Sequence, residues 1–82
     1  MPAYHPLFRV GERVRTASVE DLRAFQAAWP LHHPLTAEQI DCGGVESVVT
    51  AVGYYHGGDV LYTLRDVPGT WHEQCLLLAQ DQ

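Results

Sequence analysis

Four histidines and one cysteine could converge to bind a metal ion. They are His32, His33, His56, His72 and Cys75. The spacing of His72 and Cys75 can place two ligands on one side of a helical turn, as zinc prefers. No second pair with zinc-finger spacing accompanies them, and adjacent histidines such as His32 and His33 make poor joint ligands. We therefore predict no metal and no other cofactor, with Cys75 as a small buried apolar residue.

A second possible chemistry is nucleophilic catalysis by Cys42. Asp41 lies beside it in the sequence, and His32 or His33 could complete a cysteine–histidine pair. Cys42, however, falls at the C-terminal end of a predicted helix, where the negative pole of the helix dipole raises the pKa of a thiol. The carboxylates are scattered, and neither Gly-Gly pair has the spacing of a phosphate-binding loop. We therefore predict no catalytic residues.

Aromatic residues are the best candidates for binding. Trp29, Tyr54, Tyr55, Tyr62 and Trp71 are too many for a small core to hide, and both residue types are enriched where proteins meet. Because successive strand residues face opposite ways, Tyr54 and Tyr55 cannot both enter one core. The alternative is that Tyr62, Trp71 and one residue of the Tyr54–Tyr55 pair are core residues with polar tips at the surface. The candidate binding residues are Trp29, His32, His33, Tyr54, Tyr55, His56 and Trp71.

The size and charge of the chain restrict the classes of function. Its 82 residues predict a single domain over 1–82 with a small core. The net charge is −5, there is no lysine, and the five arginines are dispersed, which disfavours nucleic-acid binding. No apolar run approaches the ~20 residues needed to span a bilayer, and the N-terminus lacks the pattern of a secretory signal. We expect a cytoplasmic protein with reduced cysteines.

The first half of the chain predicts one strand and two helices. Residues 7–16 are predicted as a strand with Phe8 and Val10 on one face and a bend at Gly11. Ser18 is typical of a helix N-cap, and Pro30 predicts that this helix ends near residue 28. A second, six-residue helix begins at Thr36, where Thr36 and Gln39 have the spacing of a capping box. Gly43 is predicted to end it in a left-handed conformation.

The second half of the chain, residues 45–78, predicts a meander. Residues 45–55 are rich in β-branched side chains with apolar groups on both faces, so we expect a strand that is either buried on both sides or strongly curled, with a bend at Gly53. Two turns are predicted, a hairpin at 57–58 and a type II turn over 67–70. Residues 71–73 are predicted as a fourth strand, 73–76 as one helical turn and 77–79 as a closing strand.

This order predicts an α+β, mainly β domain: a five-stranded barrel with a two-helix insertion over residues 18–43. The segment from Phe8 through Gly11 and Glu12 to Arg15 resembles the opening strand of SH3-like barrels, and residues 61–65 resemble a later strand of that family. Together they look most like the barrel domain of the nitrile hydratase β subunit. The resemblance implies a small barrel that acts through contact with another chain, and it carries over no catalytic residue.

We therefore expect a non-enzymatic interaction module that binds a protein partner or forms a homodimer, without a membrane. The alternative is a small-molecule-binding or catalytic accessory domain that resembles the hydratase β subunit. Its pocket would lie between the helices and the meander. The predicted lining is Trp29, His32, His33, Tyr55 and His56.

Overall fold

A computed structural model describes residues 6–29, 34–55 and 59–79. Its elements are β1 (Arg13–Thr16), α1 (Val19–Ala28), α2 (Ala37–Asp41), β2 (Glu46–Tyr55), β3 (Asp59–Leu64), β4 (Val67–His72), a 3₁₀ turn (Glu73–Cys75) and β5 (Leu76–Leu78). The strands form one antiparallel sheet in the order β4-β3-β2-β1-β5. The α+β class and the position of the helices between the first two strands are confirmed. Within these residues the sheet is open, because no ladder joins β4 to β5.

Both helices begin at the predicted caps. The Ser18 hydroxyl accepts a hydrogen bond from the Asp21 amide at 3.1 Å, and α1 ends at Ala28 as predicted. At α2 the Thr36 hydroxyl accepts from the Gln39 amide, and the Gln39 side chain accepts from the Thr36 amide, both at 3.1 Å. Such reciprocal bonds satisfy amides that a short helix leaves unpaired. None of the described helices has the length and apolar character needed to cross a membrane.

The predicted role of Gly43 was wrong by one residue. Gly44, with φ 77°, is the left-handed residue, and its amide donates to the carbonyls of Thr16 and Ala17 at 3.2 and 3.0 Å. The chain must turn back onto the end of β1 to make these bonds, so the positive φ falls at Gly44. Glycine is needed at position 43 for a different reason, which is lack of space. A Cβ there would lie 2.5 Å from the Val19 nitrogen at the start of α1.

The first strand is shorter than predicted. It begins at Arg13, and the segment before it is irregular, with the Gly11 amide donating to the Val49 carbonyl at 2.8 Å from a positive φ of 94°. Phe8 is buried, but Val10 is 63% exposed, so the two do not share a buried face. The turn at Gly11 replaces strand alternation with local bonds, including one from the Arg9 amide to the Glu12 carboxylate.

Of the two explanations offered for the apolar groups on both faces of β2, burial on both sides was wrong. The register of β2 with β3 shifts between Val49 and Ala51, so one extra residue reverses the alternation. Val49 therefore enters the core before the shift and Val52 packs against the core after it. Among the other apolar side chains of this stretch, Ala51 and Tyr54 are exposed. The irregularity lies near Thr50 and not at Gly53.

The turn between β3 and β4 also differs from the prediction. Leu64 pairs with Val67, which leaves the two-residue turn at Arg65 and Asp66, with Asp66 at φ 58°. The next pair is Thr63 with Thr70, so Pro68 and Gly69 form a bulge in β4 and not a type II turn. Strand β4 therefore begins before the predicted 71–73. The predicted helical turn and closing strand are both present, and each ends one residue earlier than predicted, as Glu73–Cys75 and Leu76–Leu78.

The core lies between the sheet and the helices. Its fully buried side chains include Val14, Leu22, Tyr62 and Trp71. The buried Gln39 side chain crosses from α2 to β4, where its amide group donates to the Thr70 carbonyl at 2.9 Å. Burial of a polar amide costs free energy unless it is bonded, so this contact determines how α2 packs.

We expect Gly69→Ala to destabilise the protein by about 2–4 kcal/mol. Gly69 has φ 92°, where an L-residue is strained, and an added Cβ would overlap the Gln39 side chain and disrupt its buried bonds. Urea unfolding measures the change. Gly53→Ala is the matched control, because a Cβ there meets no atom within 4 Å, and we expect a change within about 1 kcal/mol. Equal losses of unfolding free energy for Gly69→Ala and Gly53→Ala would contradict the prediction that position 69 requires glycine.

Candidate functional site

Three rings meet where the end of α1 packs against the end of β4. Phe25 and Trp29 lie four residues apart on one helix face and stack with centroids 5.4 Å apart at 18°. The imidazole of His72, the last residue of β4, lies 4.9 Å from Phe25 and 5.1 Å from Trp29. His72 is buried, and Trp29 is half-buried at the C-cap of α1. The rings therefore form one rigid aromatic wall.

A cavity of about 220 Å³ lies against this wall. Its described lining residues are Trp29, Asp59, Val60, His72, Glu73 and Gln74. They come from four elements, namely the end of α1, the start of β3, the end of β4 and the 3₁₀ turn. We call this site the aromatic–acidic pocket, because it combines the Trp29 and His72 rings with the carboxylates of Asp59 and Glu73.

Glu73 is held in place from the core side. Its Oε2 accepts from the Tyr62 hydroxyl at 2.5 Å and from the Leu7 amide at 2.9 Å. The Tyr62 oxygen in turn accepts from the Phe8 amide at 3.3 Å. Burial, reinforced by the hydrogen bond to Glu73, raises the pKa of Tyr62 from its usual 10.0 to about 12. This chain of bonds fixes one carboxylate of the pocket.

The structure brings together only part of the predicted binding set. Trp29 lines the pocket. Tyr54 is 53% exposed and pairs with Val60, a lining residue. Trp71 lies in the core with its indole N–H donating to the Pro68 carbonyl at 3.1 Å. The predictions at His32, His33, His56 and the Tyr55 side chain lie outside the described residues.

Sequence reasoning missed five residues of the pocket as binding residues: Asp59, Val60, His72, Glu73 and Gln74. Among these residues the sequence singles out His72 alone, and only as a metal ligand. The available signal was the i, i+4 spacing of Phe25 and Trp29, which indicates one aromatic face on α1. The sequence placed Trp29 in a pocket beside the meander, but it gave no indication that the end of β4 and the 3₁₀ turn would form part of the lining.

The two cysteines differ in burial, and the histidines considered as partners of Cys42, His32 and His33, lie outside the described residues. Both cysteines are free, Cys42 half-buried and Cys75 buried. Burial raises the pKa of the Cys75 thiol from 9.0 to about 12, so at neutral pH it remains protonated and acts as an apolar core residue. Among residues 6–29, 34–55 and 59–79, no group of three potential ligands is arranged to hold a metal ion.

A second surface of interest is the outer edge of β5. Leu77 and Leu78 are 55% and 53% exposed on this last strand of the sheet. The Ala17 amide donates to the Cys75 carbonyl, and the Ala79 amide donates to the Arg13 carbonyl. Antiparallel ladders alternate, so Leu77 bonds toward β1 while Leu76 and Leu78 direct their backbone groups away from it. We call this surface the β5 edge.

Comparison of the chain with protein-family models, with curated proteins and with solved structures finds no match. Function is therefore inferred from the geometry of the chain's own residues.

We expect the free energy of unfolding to fall as the pH rises from about 9 to 12. Cys75 and Tyr62 have higher pKa values in the folded protein than in the unfolded chain, so the unfolded chain binds fewer protons in this pH range. The free energy of unfolding therefore decreases by up to ~1.4 kcal/mol per pH unit for each group. Tyr62→Phe removes one of the two groups and should give a shallower decline above pH 10. Urea unfolding at each pH measures it.

The control for this prediction is Tyr54→Phe, which removes a phenol from a half-exposed side chain. We expect its profile to follow that of the wild type. A Tyr62→Phe profile as steep as the wild-type one would contradict the assignment of a raised pKa to Tyr62.

Proposed function

We propose that this protein is a non-enzymatic module that associates with a second copy of itself through the β5 edge. The observation that carries the proposal is the pair of exposed leucines on an edge strand whose outer backbone groups face away from the sheet. Such an edge is a template for another strand, and natural proteins usually protect it by keeping it short or with charge, proline or a covering element; β5 is short but has none of the protecting residues. Strand β5 has only leucines, Leu76–Leu78.

The backbone of the β5 edge is self-complementary. The Leu76 amide is already used, because it donates to the Glu73 carbonyl, so the edge offers the Leu76 carbonyl and both groups of Leu78. Under a two-fold axis at Leu77, Leu76 of one copy lies opposite Leu78 of the other. Each Leu78 amide can then donate to a Leu76 carbonyl, which gives two reciprocal hydrogen bonds.

The side chains favour the same pairing. The two Leu77 side chains would face each other in a non-hydrogen-bonded pair, with Cβ atoms about 5 Å apart. Leu78 shares the face of buried Leu76, so each Leu78 would extend the core of the other copy. On the face of Leu77, Arg13 and Arg15 are paired with Glu46 at 3.3 and 3.2 Å, which reduces charge repulsion across the axis.

The size of the edge predicts a weak dimer. Burial of one leucine side chain contributes about 1.5–3 kcal/mol, and a three-residue strand forms less interface than the ~1,200 Å² of a standard complex. Association is therefore reversible, and added salt should not weaken it, because salt screens the repulsion between two copies that each carry a net charge of −5. A chain with so small a core also gains stability from any contact made only by its folded form.

We further propose that the sheet belongs to an SH3-like barrel, as the sequence resemblance implies. The strand order, the sharing of β2 between two ladders and the 3₁₀ turn before the last strand support this. The relation to the nitrile hydratase β subunit stays a proposal that rests on the sequence. The proposed compartment is the cytoplasm, where the two free cysteines would remain reduced.

We expect Leu77→Lys to abolish self-association by placing two ammonium groups at the two-fold axis. Sedimentation equilibrium from about 10 µM to 1 mM, at low and high salt, measures it. Val10→Lys is the matched control, because Val10 is similarly exposed but lies outside β5, and it should keep the dimer.

A second variant tests the proposed backbone hydrogen bonds between the two copies. Leu78→Pro removes the outward amide without a loss from the β1 ladder, so it should also give monomers. A wild-type protein that is monomeric at 1 mM, or a dimer that survives both β5 variants, would overturn the proposal.

A further inference from the structure

We propose that the aromatic–acidic pocket binds the cationic head of a lysine or arginine side chain from a partner protein. This site is separate from the β5 edge and does not depend on self-association. It combines an aromatic wall, two carboxylates and a cavity of side-chain size.

The aromatic wall makes the first contribution to the binding of a cation. An indole face attracts an ammonium or guanidinium group within about 6 Å of the ring, more strongly than other aromatic rings do. Trp29 lines the cavity, and its stacking on Phe25 and edge contact with His72 hold the indole in one orientation. Little side-chain entropy is then lost when a ligand binds.

The negative charge of the lining residues makes the second contribution to the binding of a cation. Asp59 and Glu73 are acidic, and none of the described lining residues is an arginine. Glu73 is fixed by the bonds that its Oε2 accepts from Tyr62 and Leu7. The second oxygen of that carboxylate has no bond to a described residue. The net charge of −5 attracts basic partners over a longer range and disfavours anionic ligands.

The size of the cavity favours a side chain over a whole small molecule. Pockets for drug-sized ligands span about 300–1,000 Å³, whereas this one is about 220 Å³. That volume accommodates the charged end and part of the alkyl stem of one residue. The exposed ring of Tyr54, on the strand position opposite Val60, lies where the neighbouring residues of a bound segment could contact it.

The test is an NMR titration of the full chain with N-acetyl-lysine amide and N-acetyl-arginine amide, with N-acetyl-citrulline amide as the neutral isostere of arginine. The two tryptophans provide an internal reference. We expect the indole N–H signal of Trp29 to shift on binding and that of Trp71, which is buried and bonded to Pro68, to remain in place. The citrulline compound should bind at least about five-fold more weakly, and added salt should weaken binding of the cations.

Variants distinguish binding in the pocket from attraction by the net charge of the protein. Asp59→Asn should weaken binding of both cations by about three- to ten-fold. Trp29→Leu removes the indole reporter, so its binding is followed through the backbone amide signals of the lining residues Val60 and Gln74, and it should be weaker by at least about three-fold. Asp66→Asn is the control, because it changes the net charge equally at the β3–β4 turn, away from the lining residues, and asparagine tolerates the positive φ found there. An unchanged Trp71 signal shows that each variant is folded.

Four results would overturn the proposal. They are equal binding of citrulline and arginine amides, an Asp66→Asn effect as large as that of Asp59→Asn, a shift of neither indole signal at 50 mM probe, and binding of tetramethylammonium as tight as that of the amino-acid amides. The last result would assign the pocket to a free organic cation. None of these outcomes bears on the β5 edge, whose leucine variants should titrate like the wild type.

Discussion

The packing of this small protein depends on one buried amide side chain, that of Gln39. It completes the capping box of a five-residue helix, and it donates across to the Thr70 carbonyl of β4. A helix of this length does not form alone in water, so α2 exists because the sheet receives Gln39. The contact also explains why glycine occupies position 69, where any side chain would displace the amide. One hydrogen-bonded group thus connects the helical insertion to the bulge of β4.

The two proposed binding surfaces are neighbours in the sequence. His72, Glu73 and Gln74 line the pocket, and β5 begins two residues later at Leu76. The 3₁₀ turn between them uses the Leu76 amide internally and buries the Cys75 side chain. A short, tightly packed segment therefore presents a polar surface on one side and an apolar edge on the other. The two surfaces differ in their physical basis: one depends on charge and is weakened by salt, whereas the other depends on apolar burial and backbone pairing.

Sequence patterns could identify part of the candidate site. The binding potential of Trp29 follows from aromatic chemistry, and the prediction of Cys75 as a small buried apolar residue is confirmed. The grouping of Trp29 with Asp59, His72 and Glu73 could not be predicted, because it requires the packing of α1 against the end of β4. The burial of Trp71 likewise depends on the bulge at Pro68 and Gly69, since the Pro68 carbonyl accepts the bond from its indole.

The sequence by itself determined the local features of this protein. The caps at Ser18 and Thr36, the end of α1 before Pro30 and the one-turn helix before β5 depend on bonds between residues a few positions apart, and such bonds can be recognised in a sequence. The tertiary structure alone decided the register of the strands. The shift near Thr50, the turn at Arg65–Asp66 and the left-handed Gly44 each satisfy backbone groups of a distant segment. One extra residue in a strand reverses every side chain that follows, so these choices determined which apolar residues entered the core and which remained on the surface.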